Sequence, residues 1–173
     1  MLNDVRWLLH GERRVGAYRC GNIAAQSHAM DILSLKLLVV DDNPICRMLM
    51  SGMLRVLFPN AMVDEAGDGA QAQACLRNQH YDMVLSDWMM PDMDGAQLAT
   101  WMHSGELSPR PFVLFSANDG VDEILPLFSS HGIDGYLIKP LDQAAMKEVI
   151  SAAIWNLALA APDGRPDFSF RQT

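Results

Sequence analysis

Cysteine is scarce in this sequence, and the few cysteines present are poorly spaced for the chemistry that cysteines usually support. The three thiols, Cys20, Cys46 and Cys75, lie far apart and match no zinc-binding spacing. Their odd number does not suit a disulfide framework. We therefore expect neither a zinc site nor a disulfide-stapled fold, but ordinary thiols in a reducing compartment.

Long hydrophobic runs are also missing. The longest apolar run near the start is Trp7-Leu8-Leu9, which is far shorter than the core of a signal peptide. Nothing in the chain approaches the roughly 20 apolar residues that a membrane-spanning helix needs. The sequence thus predicts no membrane association, and we expect a cytoplasmic protein.

Basic residues are too few to balance the acidic ones. The chain has 13 Lys and Arg against 21 Asp and Glu, which gives a net charge of −8. The excess lies in residues 34–160, with seven basic and sixteen acidic side chains, whereas residues 1–33 carry +1 and residues 161–173 are neutral. Because so acidic a body repels phosphate backbones, we expect no nucleic-acid binding by this central part.

The residues that are present indicate one compact α/β domain. The length of 173 residues with 50% hydrophobic residues fits a single domain with short appendages. From residue 35 onward, short apolar runs alternate with amphipathic stretches, which is typical of parallel βαβ units. Five strands are predicted, at 35–40, 61–66, 83–85, 112–115 and 136–138. The second is the weakest, and its polar Asp64 and Glu65 suit the edge of a sheet.

Helices are predicted between and after these strands. The first begins at Pro44, with Asn43 as its N-cap, and ends before Pro59. The others are predicted near 69–78, 96–103, 121–130 and 142–160, and Pro126 would kink or shorten the fourth. Because crossovers between parallel strands are right-handed, the pattern predicts a doubly wound sheet with helices on both faces.

Chemically informative side chains follow four of the five strands. Asp41 and Asp42 come directly after the first, Asp87 ends the third, and Ser116 and Lys139 follow the fourth and fifth. The carboxyl ends of strands line the ligand crevice of an open α/β sheet, so we expect these residues to converge. Three neighbouring carboxylates repel one another unless a cation joins them, and Mg²⁺ prefers such oxygen ligands. Asp87 could then attack phosphorus, with Lys139 and Ser116 contacting the phosphoryl oxygens.

The motifs around these residues resemble the receiver domains of bacterial two-component response regulators, in particular the CheY-like ones. The resemblance covers residues 35 to about 157, with every motif in family order. It rests on four segments: 41–43 (Asp-Asp-Asn), 86–95 (Ser-Asp-Trp-Met-Met-Pro-Asp-Met-Asp-Gly), 115–117 (Phe-Ser-Ala) and 136–140 (Tyr-Leu-Ile-Lys-Pro). The resemblance implies a flavodoxin-like sheet with strand order 2-1-3-4-5.

The resemblance also implies specific roles for these residues. Asp87 would be the phosphoacceptor, Asp42 a direct Mg²⁺ ligand, Asp41 a ligand acting mainly through water, and the Met89 carbonyl a further ligand. Ser116 would be the switch hydroxyl, Tyr136 the switch aromatic, and Lys139 the phosphate-binding cation in a cis Lys139-Pro140 unit. The only chemistry expected is Mg²⁺-dependent self-phosphorylation and autodephosphorylation, so we do not expect an enzyme.

The predicted organisation is an N-terminal extension (1–33), a receiver domain (34–160) and a short tail (161–173), with no DNA-binding output domain. We expect a histidine kinase or histidine phosphotransfer protein as the phosphodonor and a downstream protein as the target. The strongly apolar last helix makes a homodimer a further possibility. The alternative function is that of a phosphorelay intermediate, which passes its phosphoryl group to a histidine phosphotransfer protein. Whether residues 1–29 belong to the native protein is also left open, because Met30 could begin a minimal receiver domain.

Overall fold

The computed structural model describes residues 34–105, 110–117 and 131–160, with side chains up to residue 154. In these ranges five strands and four helices follow one another in the order β1-α1-β2-α2-β3-α3-β4-β5-α4. The strands are β1 (Lys36–Val40), β2 (Met62–Ala66), β3 (Met83–Asp87), β4 (Phe112–Ser116) and β5 (Gly135–Ile138). The helices are α1 (Pro44–Leu57), α2 (Gly69–Asn78), α3 (Gly95–Ser104) and α4 (Gln143–Ala160).

All five strands are parallel, and their order in the sheet is β2-β1-β3-β4-β5. The predicted fold class and strand order are therefore confirmed. The weak, polar strand β2 lies at the edge of the sheet as expected. The predicted helix near 121–130, with Pro126, lies outside the described residues, as do the extension 1–33 and the tail 161–173.

Each face of the sheet has its own apolar core. On one face α1 and α4 pack over β1, β3 and β4 through a cluster that includes Leu37, Leu54 and Ile150. On the other face α2 and α3 pack through a cluster that includes Leu38, Tyr81 and Leu98. The alternation of Leu37, Leu38 and Val39 between the two clusters follows from the two-residue period of a strand. These paired cores hold the strand ends in fixed positions relative to one another.

The helix starts are set by side-chain caps. Asn43 caps α1 by accepting hydrogen bonds from the amides of Ile45 and Cys46, as predicted. Asp94 caps α3 in a reciprocal capping box with Gln97, so α3 begins at Gly95, one residue earlier than expected. The carboxylate of Asp142 accepts from the Ala145 amide at 2.9 Å at the start of α4.

Strand β3 extends to Asp87, two residues beyond the predicted apolar run. Ser86 lies opposite Val40 and Leu114, and Asp87 lies opposite Phe115, so the ladder continues after the hydrophobic residues end. Pairing of Ser86 with both neighbouring strands, and of Asp87 with β4, thus keeps these polar residues in the sheet. None of the described helices is sufficiently long and apolar to cross a bilayer.

Candidate functional site

Three carboxylates meet at the carboxyl ends of β1 and β3. Asp41 and Asp42 directly follow β1, and Asp87 is the last residue of β3, the neighbouring strand. One carboxylate oxygen from each of the three lies within 4.8 Å of the other two. Asp41 and Asp87 are buried, whereas Asp42 is exposed at the rim. The predicted convergence of these acids is therefore present, and we call them the acidic cluster.

Lys139 completes this cluster from the end of β5. Its ammonium Nζ lies 3.3 Å from the Oδ2 atoms of both Asp41 and Asp87. Its backbone amide donates to the carbonyl of Ser116 at 2.7 Å, which ties it to the end of β4. The ammonium also lies 5.0 Å from the centre of the Phe115 ring. The Lys139-Pro140 peptide bond is cis, as the family resemblance implied.

The electrostatics of the cluster are unbalanced. Burial raises the pKa of Asp87; the Lys139 cation opposes this rise, and the negative charge of Asp41 adds to it. Burial alone would lower the pKa of Lys139, but the charges of Asp87 and Asp41 outweigh it, so this pKa is raised. Lys139 therefore stays protonated at neutral pH, and a single ammonium faces three carboxylates.

Asp41 is held by contacts that the sequence interpretation did not identify. The backbone amide of Asn43 donates to its Oδ1 at 2.8 Å, and the guanidinium of Arg47 donates to its carbonyl. Arg47 also pairs with Glu65 at 3.5 Å, so it ties the end of β1 to the edge strand. In sequence, Arg47 is one polar residue on an amphipathic helix. Only the packing of α1 against β1 and β2 gives it this role.

Gly95 has a positioning role that its place in the 86–95 segment did not reveal. A Cβ at this position would lie 2.3 Å from the carbonyl oxygen of Asp87 and 2.5 Å from Leu114. The amide of Gly95 donates to the carbonyl of Trp88 at 2.9 Å. Any side chain here would push α3 away from the end of β3. Glycine is therefore required for the backbone approach that fixes Asp87.

The remaining predicted residues lie around the cluster. Ser116 ends β4 and is buried, and Tyr136, in β5, is half-buried against the second core. Met89 lies two residues after Asp87, and its side chain is 69% exposed. The switch roles of Ser116 and Tyr136, and the metal-binding role of the Met89 carbonyl, stay predictions.

The donor set of the acidic cluster fits a hard divalent cation. Three carboxylates within one ion's reach offer only oxygen ligands, which Mg²⁺ prefers. Lys139 offsets one of the three negative charges, and the remaining two match the charge of such an ion. Asp41, Asp42 and Asp87 are thus the described side chains that could hold it.

The sheet order and the acid-lysine site define a class of signalling domain, and comparison with known proteins gives its family. The family model for the response regulator receiver domain matches residues 37–151, well over half of the sequence, so the chain belongs to this family of two-component signalling proteins. This bears out the resemblance seen in the motifs.

Individual relatives agree with this assignment. The chain is 33% identical to the chemotaxis protein CheY-3 of Vibrio cholerae over 117 residues, which cover 66% of this chain and 88% of that protein. It is also 33% identical to the chemotaxis protein CheY of Pseudomonas aeruginosa, over 67% of this chain and 93% of that protein.

A solved structure of another relative carries a metal. The receiver domain of the sensor histidine kinase PA1611 from Pseudomonas aeruginosa is 28% identical to this chain. It matches with a TM-score of 0.61, covering 70% of this chain and 98% of that domain. That domain was crystallised with a magnesium ion coordinated in its active site cleft.

Proposed function

We propose that this protein is a response regulator that accepts a phosphoryl group on Asp87 in a Mg²⁺-dependent reaction and signals through changed protein binding. The observation that carries the proposal is the position of the Lys139 ammonium 3.3 Å from both Asp87 and Asp41, beside Asp42. In this arrangement a nucleophilic carboxylate, a fixed cation and two further acids share one pocket. Membership of the receiver family supports the same function.

The reaction is the transfer of a phosphoryl group to a carboxylate. An oxygen of Asp87 attacks phosphorus, forming an O–P bond. With a histidine kinase or histidine phosphotransfer protein as donor, the N–P bond to the donor's histidine breaks and its electron pair stays on nitrogen. Asp41, Asp42, Asp87 and the Met89 carbonyl would hold Mg²⁺, which when bound shields the charge of the incoming phosphoryl oxygens. Lys139 supplies fixed positive charge to the same oxygens.

Phosphorylation would then alter the strand ends that carry the partner-binding surface. The modification adds a charge of about −1.5 to −2 and three strong acceptor oxygens. Lys139 and Ser116 would contact these oxygens. The two residues are already linked, because the Lys139 amide donates to the Ser116 carbonyl at 2.7 Å. A displacement of either residue therefore affects the ends of both β4 and β5. Tyr136 lies in β5 and would move with it. The phosphoryl contacts shift a balance between two conformations.

The test measures phosphoryl incorporation by intact mass after incubation with acetyl phosphate and Mg²⁺. The wild-type protein should gain one phosphoryl group, and Asp87→Asn should gain none. Asp92→Asn is the matched control, because Asp92 is an exposed acid five residues away with a φ of 66°, a conformation that asparagine tolerates. Equal incorporation in Asp87→Asn and the wild type would refute the assignment of Asp87.

A second measurement addresses signalling. A pull-down that compares the phosphorylated protein with Asp87→Asn should recover a protein that prefers one of the two states. Identical recovery in both states would show that phosphorylation does not control binding.

A further inference from the structure

Helix α1 carries apolar side chains on its outer face as well as on its buried face. The buried side contains Met50 and Leu54, which pack on the sheet. On the opposite side, four large apolar residues are each more than half exposed: Ile45 (64%), Met48 (61%), Leu49 (57%) and Val56 (66%). Their spacing of three, four and seven residues places them on one helix face. We call these four residues, together with Gly52 between them, the outer stripe.

Gly52 gives the outer stripe a notch. A Cβ at this position would meet no heavy atom within 4 Å, so the fold of the described residues does not require glycine there. Glycine is the least favourable helix residue after proline, and α1 nevertheless carries it at mid-length. The missing side chain leaves a gap bordered by Met48, Leu49 and Val56. Such a gap fits a bulky apolar side chain from another segment.

The point where the preceding chain enters the domain indicates which segment this is. The Met62 amide donates to the Leu35 carbonyl at 2.7 Å, and Leu35 shares a core cluster with Phe58, the C-cap of α1. The residues before Ser34 therefore begin beside the carboxyl end of α1. The 14 residues of α1 extend over about 21 Å.

The length of that preceding chain allows it to reach the whole stripe. Residues 10–33 separate Leu9 from Ser34. A stretch of 24 residues can extend over as much as roughly 80 Å, well beyond the length of α1. A segment of the same molecule has a higher effective concentration at the stripe than a segment of a separate molecule.

The composition of residues 1–33 matches the stripe. Two of its five-residue stretches have four apolar residues each, at 5–9 and at 29–33, and only the first contains a tryptophan. The indole of Trp7 is the largest side chain available and suits the notch at Gly52. Helix α1 carries Arg47 and Arg55 and no acid, so contact there depends on apolar side chains rather than on charge.

We propose that residues 5–9 of this chain bind the outer stripe of α1 within the same molecule, with Trp7 at the Gly52 notch. The stripe begins at Ile45, three residues after Asp42. The binding is independent of whether Asp87 is phosphorylated.

Hydrogen-deuterium exchange of the full chain, read by mass spectrometry, tests the proposal. Peptides from α1 should exchange several-fold more slowly in the wild type than in the triple variant Trp7→Ser/Leu8→Ser/Leu9→Ser. The matched control is Val15→Ser/Ile23→Ser, which removes apolar residues of the same segment outside the proposed group and should behave as the wild type. The difference should not change with protein concentration, because the contact is intramolecular.

The variant Gly52→Glu tests the same contact by changing the outer stripe instead of residues 7–9. A Cβ here would meet no heavy atom within 4 Å, so the domain should keep its fold, which circular dichroism verifies. Peptides covering residues 5–9 should then exchange faster than in the wild type. Equal α1 exchange in the wild type and the triple variant would overturn the proposal. Protection that grows with concentration, together with a dimeric mass in light scattering, would also overturn it and assign the stripe to a second copy.

Discussion

Acidic side chains lie toward both ends of the parallel sheet, but three of them crowd within 4.8 Å of one another at the carboxyl end, whereas those toward the amino end are each paired separately. There, Asp64 accepts the hydroxyl hydrogen of Tyr81 at 2.8 Å and pairs with Lys36 at 3.5 Å. Asp82 accepts the backbone amide of Lys36 at 2.7 Å. Burial, followed by the contact with Asp64, raises the pKa of Tyr81, which keeps the phenol protonated and donating.

At the carboxyl end, within the described part of the chain, the acids share one ion-pairing cation. Lys139 lies 3.3 Å from both Asp41 and Asp87, while Asp42 adds a third carboxylate to the same pocket. The pKa of Asp87 is raised there, so the folded protein holds this carboxylate at a cost.

This difference between the two ends distinguishes charges that stabilise the fold from charges that call for a ligand. A cluster whose members satisfy one another fixes strands and loops in place. A cluster with surplus charge of one sign requires something more, either a bound cation or a change of protonation. Four measurements test this contrast, in order of decreasing effect on the free energy of unfolding.

The largest effect is expected at the amino end, from Tyr81→Ala. Tyr81 is fully buried, so its loss should cost about 3–5 kcal/mol of unfolding free energy. Tyr81→Phe keeps the ring and loses only the hydroxyl contact with Asp64, which should cost about 1–2 kcal/mol. Urea unfolding measures both. Neither variant should change the affinity for Mg²⁺, and a large change in that affinity would show that the two ends are coupled.

The second effect is stabilisation by Mg²⁺ at the carboxyl end. At a hundredfold excess over its Kd, a ligand that binds only the folded state adds about 2.7 kcal/mol. Thermal unfolding with and without Mg²⁺ should show this increase in the wild type and a much smaller one in Asp42→Asn at the same concentration. Asp64→Asn, at the other end, is the control and should keep the full increase. An equal Mg²⁺-dependent increase in thermal stability in all three proteins would show that Mg²⁺ does not bind at the acidic cluster.

The third prediction concerns pH without Mg²⁺. Because the pKa of Asp87 in the folded state lies above its ordinary 3.8, the protein loses stability as the pH rises through that folded value. Asp87→Asn removes this loss and should raise Tm by a few degrees at pH 7. Below pH 3.8 the difference should vanish, since the wild-type carboxyl is protonated in both states. Asp82→Asn, where the acid has a donor, should give no such rise.

The smallest stability effect is expected from replacing the lysine of the amino end. Lys36→Met removes an ion pair with Asp64 in which both side chains are partly exposed, so it should cost at most about 1 kcal/mol. Phosphoryl uptake from acetyl phosphate should stay at the wild-type rate. The same substitution at the other end, Lys139→Met, should slow that uptake about 100-fold. Similar uptake rates in the two variants would contradict the distinction between the two lysines.

Much of the fold could be predicted from local patterns. The apolar runs indicated all five strands, and Asn43 with Pro44 marked the start of α1 where the structure has it. The prediction for β3 was too short because Ser86 and Asp87 are polar, and pairing with Val40, Leu114 and Phe115 keeps them in the sheet. The functions of Arg47 and Gly95 could not be predicted, since each depends on a contact between elements that are separate in sequence.

The identity of the site residues and their place at the carboxyl ends of the strands follow from the sequence alone. Acids, a hydroxyl and a lysine at successive strand ends must meet at one edge of a parallel sheet, because all carboxyl ends lie there. The balance of positive and negative charge at each edge of the sheet depends on the tertiary structure. Burial of Asp41 and Asp87 and the 3.3 Å contacts of Lys139 leave this edge with surplus negative charge, while Lys36 pairs with Asp64 toward the other end. Those properties depend on distance and solvent exclusion, which arise only when the elements pack together.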